Sequence, residues 1–197
     1  MIGAIVLAAG SGIRAGGPKD ALRIGDRTFL QAILRTLADA GVGTVRVVVA
    51  PGNSPAGVEC LRLVVNPDPS RGMLSSVQCG IEALPPGVGA ALLWPVDHPL
   101  AGAATVRALE AAWRTSGAPV VVPVHAGKRG HPALFAAAVF PDLLKAPRDE
   151  GARAIVLAHA DRVELPVDDP GVLADIDTPD DYARARGERP PSAETPR

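Results

Sequence analysis

Arg14 and Lys19 are set into a glycine-rich run, Gly10, Gly12, Gly16 and Gly17, that follows the apolar residues Ile2 to Val6. Glycine lacks a Cβ, so backbone N–H groups in such a run can approach an anion closely. Arginine offers a planar fork to phosphate oxygens, and lysine a mobile point charge that can follow a phosphorus centre during reaction. Together they suit a triphosphate. Far along the chain, Asp97 ends the apolar run Ala90 to Val96 and is followed by His98 and Pro99. An acid at the end of a buried strand points into the same crevice as a loop at the end of the first strand. Mg²⁺ takes one or two protein carboxylates and keeps phosphates and water for the rest of its octahedron, so Asp97 has the position and chemistry of a metal ligand.

Two commoner glycine loops fit less well. Gly10-Ser11-Gly12-Ile13-Arg14-Ala15 matches the dinucleotide pattern, but Gly16, Gly17 and Pro18 break the helix that this fold starts inside the loop. The second strand ends in Ala50-Pro51-Gly52, without the expected acid. A P-loop places Lys directly after its second Gly and follows it with Ser or Thr, whereas Pro18 precedes Lys19 and Asp20 follows.

The elements that must hold these residues alternate. Thr28 can cap a helix with Phe29, Leu30, Ile33, Leu34 and Leu37 on one face, ended by Gly41. Val45 to Val49 and Leu61 to Val65 are continuous apolar runs, as in strands buried on both faces. A helix is predicted from about Met73 to Leu84, before Pro85-Pro86, and another from Ala103 to Thr115, closed by Gly117, with Trp113 in the core. Pro119 to Val124 is a further buried strand, Gly127 to Phe135 turns back into a short extended segment, Gly151 to His159 is helical and Arg162 to Leu165 extended. This alternation implies an α/β fold with a mostly parallel sheet.

At 197 residues and 47% hydrophobic composition the chain has the size of one domain, predicted over 1–185, with 186–197 a Pro-, Arg- and Glu-rich tail predicted to be disordered. A net charge of −1 and 3% aromatic residues argue against nucleic acid as a partner. Two cysteines, Cys60 and Cys79, make no disulfide framework, and no apolar stretch reaches membrane-spanning length, so a reduced, cytoplasmic setting away from membranes is expected. His98, His125, His131 and His159 show no recognisable zinc spacing with these cysteines.

Leu7-Ala8-Ala9-Gly10-Ser11-Gly12-Ile13-Arg14-Ala15-Gly16-Gly17-Pro18-Lys19 resembles the N-terminal signature of the nucleotidyltransferase superfamily, Leu-Ala-Ala-Gly-x-Ser/Gly-x-Arg-Met-Gly-x-x-Lys, and within it the molybdenum cofactor nucleotidyltransferases. Gly12 stands where that branch usually has Ser, and Ala15 where Met is usual. Asn66 with Gly72-Met73-Leu74-Ser75-Ser76 resembles the family's Asn…Gly-Met-x-x-Ser segment, whose backbone and hydroxyls face the nucleotide; the same serines could simply cap the next helix. Asp97 matches the family's metal-binding aspartate. Arg129-Gly130-His131-Pro132-Ala133-Leu134-Phe135 resembles the signature of the molybdopterin cytidylyltransferase branch. Asp149-Glu150-Gly151-Ala152-Arg153 resembles the family's Gly-Asp-x-Gly-Ala-Arg element, with Arg148 in place of its first Gly. Asp175 to Tyr182 matches the closing motif, in which Asp177 is the second metal ligand and Thr178-Pro179 starts the last helix.

The resemblance implies a three-layer α/β/α sandwich, Rossmann-like, with the mixed, mostly parallel sheet of the nucleotide-diphospho-sugar transferases. It implies an Mg²⁺-dependent nucleotidyltransferase that moves NMP, by this reading CMP from CTP, to the terminal phosphate of molybdopterin and releases pyrophosphate. Arg14 would hold the outer phosphates, Lys19 the α-phosphate, and Asp97 and Asp177 the metal. Leu7, Ala8, Ala9, Gly10, Ser11, Gly12, Asn66, Gly72, Met73 and Ser76 would complete the nucleotide site, and His131 and Arg153 would meet the acceptor. The product would pass to a molybdoenzyme or its chaperone in a transient contact. Three alternatives remain open: a sugar- or polyol-phosphate nucleotidyltransferase on the same fold, a guanylyltransferase for the same cofactor, and a non-catalytic nucleotide-binding protein.

Overall fold

The computed structural model describes residues 1–10, 21–55, 62–147 and 151–185. The first strand, β1 (Ile2–Ala8), is buried along its whole length and lies between β4 (Thr44–Val49) and β6 (Ala90–Pro95), parallel to both. Beyond β4 comes β5 (Arg62–Val65), also parallel. On the other side β6 pairs antiparallel with β9 (Ala133–Ala136), which pairs antiparallel with β7 (Val120–His125); β10 (Val163–Pro166) then runs parallel to β7 at the edge. The order is β10-β7-β9-β6-β1-β4-β5, with the short β8 (Lys128–Arg129) folded back on the end of β7. A mixed, mostly parallel sheet results, as expected.

Side chains alternate along a strand, and the core divides accordingly. Ile2, Ala4, Val6 and Ala8 of β1 face Phe29, Leu30, Ile33 and Leu37 of α1 (Phe29–Asp39) and Val106 and Leu109 of α3 (Ala103–Ser116). Ile5, Leu7 and Ala9 face the opposite way, towards Leu74, Val77 and Ile81 of α2 (Met73–Glu82), Leu143 of α4 (Phe140–Lys145) and Ile155 and Val156 of α5 (Gly151–Ala158). Continuous apolar runs in the central strands follow from this two-sided burial. Gly80 of α2 passes so close to β1 that a Cβ there would run into Ile5.

Local signals set the boundaries. β2 (Arg23–Ile24) and β3 (Arg27–Thr28) form a small hairpin, and Thr28 then caps α1 through a reciprocal pair with Gln31: the Gln31 amide donates to Thr28 Oγ1 at 3.2 Å and the Thr28 amide to Gln31 Oε1 at 3.0 Å. Gly117, in the left-handed conformation at φ 65°, closes α3. α2 ends at Glu82 rather than Leu84, because Leu84 precedes Pro85 and a residue before proline is pushed out of the helical region. The last helix, α6 (Pro179–Ala185), is capped by Thr178, whose Oγ1 accepts from the Asp181 amide at 3.2 Å and donates to Asp181 Oδ2 at 2.6 Å. Among the described residues no helix is long and apolar enough to cross a membrane. The tail 186–197 and Cys60 lie outside the described residues; Cys79 is a free thiol.

Candidate active site

The centre of the site is the seam between β1 and β6. Leu7 is in register with Pro95, and the Val96 amide donates to the Leu7 carbonyl at 3.1 Å, so the loops leaving the two strands emerge side by side at their carboxyl ends. Such a place in an α/β sheet is where ligands bind. Leu7, Ala8 and Ala9 are buried there, and Gly10 is exposed. Among the described residues a Cβ on Gly10 would meet nothing within 4 Å, so their packing does not demand the glycine, while an approaching ligand could. Ser11, Gly12, Arg14 and Lys19 lie outside the described residues.

Beyond β6 the chain turns through Asp97 and His98: the His98 amide donates to the Pro95 carbonyl at 3.1 Å, and Trp94 Nε1 donates to the His98 carbonyl at 2.8 Å. The Ile176 amide reaches the Asp97 carbonyl at 3.0 Å and brings Asp175 alongside. Ligand atoms of Asp97, His98 and Asp175 lie within 4.8 Å of one another. That span is near the ~4.3 Å between opposite ligands of one octahedral ion, and two carboxylates with an imidazole are a donor set for a divalent metal. Sequence reasoning named Asp97 and Asp177. Among the described residues the group contains Asp175 and His98 beside Asp97, and Asp177 stands two residues further on. Only proximity in the fold could have picked out Asp175 and His98, since neither has a ligand spacing to Asp97 that stands out.

His131 packs against this group, with its ring centroid 4.7 Å from that of His98 and the planes at 56°. Burial first, then the neighbouring His98 charge, lower its pKa to about 4 against the opposing pull of Asp97, so it is a neutral imidazole near neutrality. Its amide donates to the Val172 carbonyl at 2.8 Å, and the preceding Gly130 amide to the Pro123 carbonyl at 2.8 Å. Gly130 runs so close to the Val172 backbone that a Cβ would collide with it, which is why the turn before His131 needs glycine.

On the other side of the seam, Asn66 is fully buried and follows β5. Its amide nitrogen donates to Ser75 Oγ at 2.8 Å and Ser76 Oγ at 2.9 Å, while Ser75 Oγ donates to the Gly72 carbonyl at 2.7 Å. The helix start is Gly72, at φ 89°, without a side-chain cap, so neither serine is the N-cap. These side chains face one another and fix the 66–72 loop onto α2. Met73 is exposed.

Between the sheet and helices α2 and α5 opens a cavity of about 690 Å³. Leu7, Val77, Leu93, Val122 and Phe135 give it apolar walls; Lys128, Arg129, His131 and Arg153 supply polar and cationic groups, and Glu164 an acid. Met73, His131 and Arg153, distant in sequence, are thus brought together with Leu7. Lys128 and Glu164 escaped the sequence reading, although Glu164 sits on an edge strand that alternates between half-buried and exposed residues; Arg129 enters there only as part of the Arg-Gly-His-Pro signature, without a role. Asp149 and Glu150 lie outside the described residues.

Comparison with known proteins agrees with this geometry. Residues 4–163 match the MobA-like NTP transferase domain. The chain is 25% identical over 189 residues to the molybdenum cofactor cytidylyltransferase of Escherichia coli (strain K12), which covers 94% of this chain and 95% of that protein. It is 35% identical over 133 residues to the 2-C-methyl-D-erythritol 4-phosphate cytidylyltransferase of Streptomyces avermitilis, across 61% of this chain and 52% of that relative. Of solved structures, Rv0371c from Mycobacterium tuberculosis H37Rv superposes with a TM-score of 0.84 at 29% identity, covering 95% of this chain and 97% of that one. A complex of Rv0371c with manganese gives a TM-score of 0.79 at 27% identity, covering 95% and 98%. The chain therefore belongs to the MobA-like NTP transferase domain family and is a nucleotidyltransferase.

Proposed function

We propose that this enzyme transfers CMP from CTP to the terminal phosphate of molybdopterin. The observation that carries the choice of acceptor is the cavity: about 690 Å³ with walls of Leu7, Val77, Leu93, Val122 and Phe135 suits a flat, multi-ring body better than a short polyol, which has little apolar surface to bury. Similarity over nearly the whole length to the Escherichia coli molybdenum cofactor cytidylyltransferase supports the same reading. The higher identity to the Streptomyces protein favours the second reading, a polyol-phosphate cytidylyltransferase, but extends over only 61% of this chain.

An oxygen of the acceptor's terminal phosphate forms a bond to the α-phosphorus of CTP, and the bond from that phosphorus to the bridging oxygen breaks, its electron pair leaving with pyrophosphate. The protein supplies no nucleophile; it positions two mutually repelling anions and neutralises the charge that shifts to the leaving group. Arg14 holds the outer phosphates and Lys19 the α-phosphate, on the strength of the loop sequence. Gly10, Ser11 and Gly12 contribute backbone N–H groups, Asn66 and Ser76 shape the loop carrying Gly72 and Met73, and His131 and Arg153 meet the acceptor. Asp97, with His98 and Asp175 within reach and Asp177 two residues further on, would hold a divalent ion, Mg²⁺ in this reading. When bound, such an ion would supply charge neutralisation at the triphosphate and at the leaving pyrophosphate. A single domain over 1–185, a cytoplasmic location and delivery of product to a molybdoenzyme or its chaperone complete the proposal.

Pyrophosphate release with CTP and Mg²⁺ tests it, comparing molybdopterin with 2-C-methyl-D-erythritol 4-phosphate as acceptor. Turnover with molybdopterin supports the reading. Turnover with the polyol phosphate alone replaces it by the second.

A further inference from the structure

One end of the cavity is built from charged side chains that share a single oxygen. Arg129 donates to Glu164 Oε1 from Nε at 3.0 Å and from Nη2 at 2.6 Å; Arg162 donates to the same oxygen from Nε at 3.1 Å, with its Nη2 also 3.1 Å from it as an ion pair. Arg129 and Glu164 line the cavity, whose charged groups among the described residues are three cations, Lys128, Arg129 and Arg153, and one acid, Glu164. The pair stands on β8 and β10, strands that both flank β7 at the sheet edge, whereas Leu7 and Pro95, which line the same cavity, belong to the β1–β6 seam beside Asp97, separated from β7 by β9 in the strand order. A ligand filling the cavity from the seam therefore reaches Arg129 with the part furthest from the reacting phosphate. Exposed ion pairs contribute little to stability, so the consequence of this one is where it puts the guanidinium. Both bonds to Glu164 leave from the Nε–Nη2 edge, and among the described residues none leaves from Nη1; a planar fork suits paired acceptors on a flat ring.

We propose that Arg129, positioned by Glu164, recognises the end of the acceptor remote from its reacting phosphate, and that this end is a planar heterocycle presenting carbonyl or ring-nitrogen acceptors. Val122 and Phe135, which line the same cavity, offer apolar surface to the ring face. The inference rests on the reading of the cavity as the acceptor site. Arg129 discriminates acceptors by direct contact, and Glu164 acts through Arg129.

Anaerobic calorimetric titration of molybdopterin into the full chain tests the proposal without requiring turnover. Arg129→Ala is expected to weaken molybdopterin binding about tenfold or more, Arg129→Lys nearly as much, because an ammonium has no fork, and Glu164→Gln several-fold. CTP affinity stays within error in each, and the thermal midpoint falls by no more than the small margin expected for an exposed ion pair. The binding of glycerol 3-phosphate, a phosphate ester with no ring, is expected to be insensitive to both positions. Unchanged molybdopterin affinity in Arg129→Ala, equal loss of CTP and molybdopterin binding, or no saturable binding to the wild type overturns the inference. The expected binding pattern without pyrophosphate release from CTP overturns the functional reading and leaves the inference standing.

Discussion

The Ile176 amide donates to the Asp97 carbonyl at 3.0 Å and so ties the stretch before α6 to the turn after β6. This bond places Asp175 against Asp97 and His98, and makes one site from the middle and the end of the chain. Asp97→Asn is predicted to lower metal-dependent turnover on the order of 100-fold with the fold intact, because an amide cannot replace a charged oxygen ligand. Asp175→Asn and Asp177→Asn, compared by titrating Mg²⁺ and Mn²⁺ against activity and by Mn²⁺ binding, identify the second carboxylate: the ligand's variant requires more metal, and the other keeps wild-type dependence. Wild-type metal dependence in Asp97→Asn removes that residue from the metal site.

Asn66→Leu is predicted to destabilise the protein by about 1–3 kcal/mol, because Ser75 and Ser76 lose a buried donor. For a chain of this size that is a fall of roughly 2–4 °C in the thermal midpoint per kcal/mol. The KM for CTP rises as well, through the displaced 66–72 loop. A raised KM at an unchanged midpoint would mean that the Asn66 side chain turns towards the nucleotide instead.

Lys19→Ala is predicted to cut kcat far more than CTP affinity, since a cation at the α-phosphorus matters most where charge rearranges in the transition state. The motive is the loop sequence, Lys19 following Gly16, Gly17 and Pro18. An unchanged kcat with only a raised KM contradicts the role.

Glu164 has its pKa lowered by hydrogen bonds from Arg129 first and Arg162 next. A carboxylate whose folded pKa is depressed contributes stability that is present above its unfolded value, about 4.3, and lost as pH falls through the folded one. The wild type should therefore exceed Glu164→Gln in urea midpoint at pH 7, by a small margin, and the difference should vanish in acid below the folded value. A difference that grows as pH falls contradicts the ion-pair account.

The sheet and its helices were legible because two-sided burial writes apolar runs such as Val45 to Val49, and because caps such as Thr28 and Gly117 have local signatures. Asp97 was legible for the same reason: a carboxylate stands out at the end of Ala90 to Val96. Asp175 and His98 were not, since their meeting depends on the Ile176 bond, made between residues far apart in the chain. Glu164 looks like an ordinary surface charge, and Arg129 stands only as the first residue of a signature, until β8 and β10 are both placed beside β7. Of the two readings of Ser75 and Ser76, capping of α2 is removed: both accept from the Asn66 side chain, brought to them by the tertiary position of β5.

The choice of base tests the account most directly. Ala9 is buried beside the seam and, by the resemblance, stands where the guanylyltransferase branch typically carries Gly; in the proposed reading its side chain would narrow the place where a larger ring enters. Pro18 before Lys19 and the Gly130-His131-Pro132 turn resemble the cytidylyl branch as well. Steric exclusion and mispaired base edges can together separate two nucleotides by several kcal/mol, on the order of 100-fold or more in kcat/KM. CTP and GTP competing in one reaction with molybdopterin as acceptor give that ratio. A strong preference for CTP is the predicted result, and a preference for GTP would contradict the account and make the protein a guanylyltransferase.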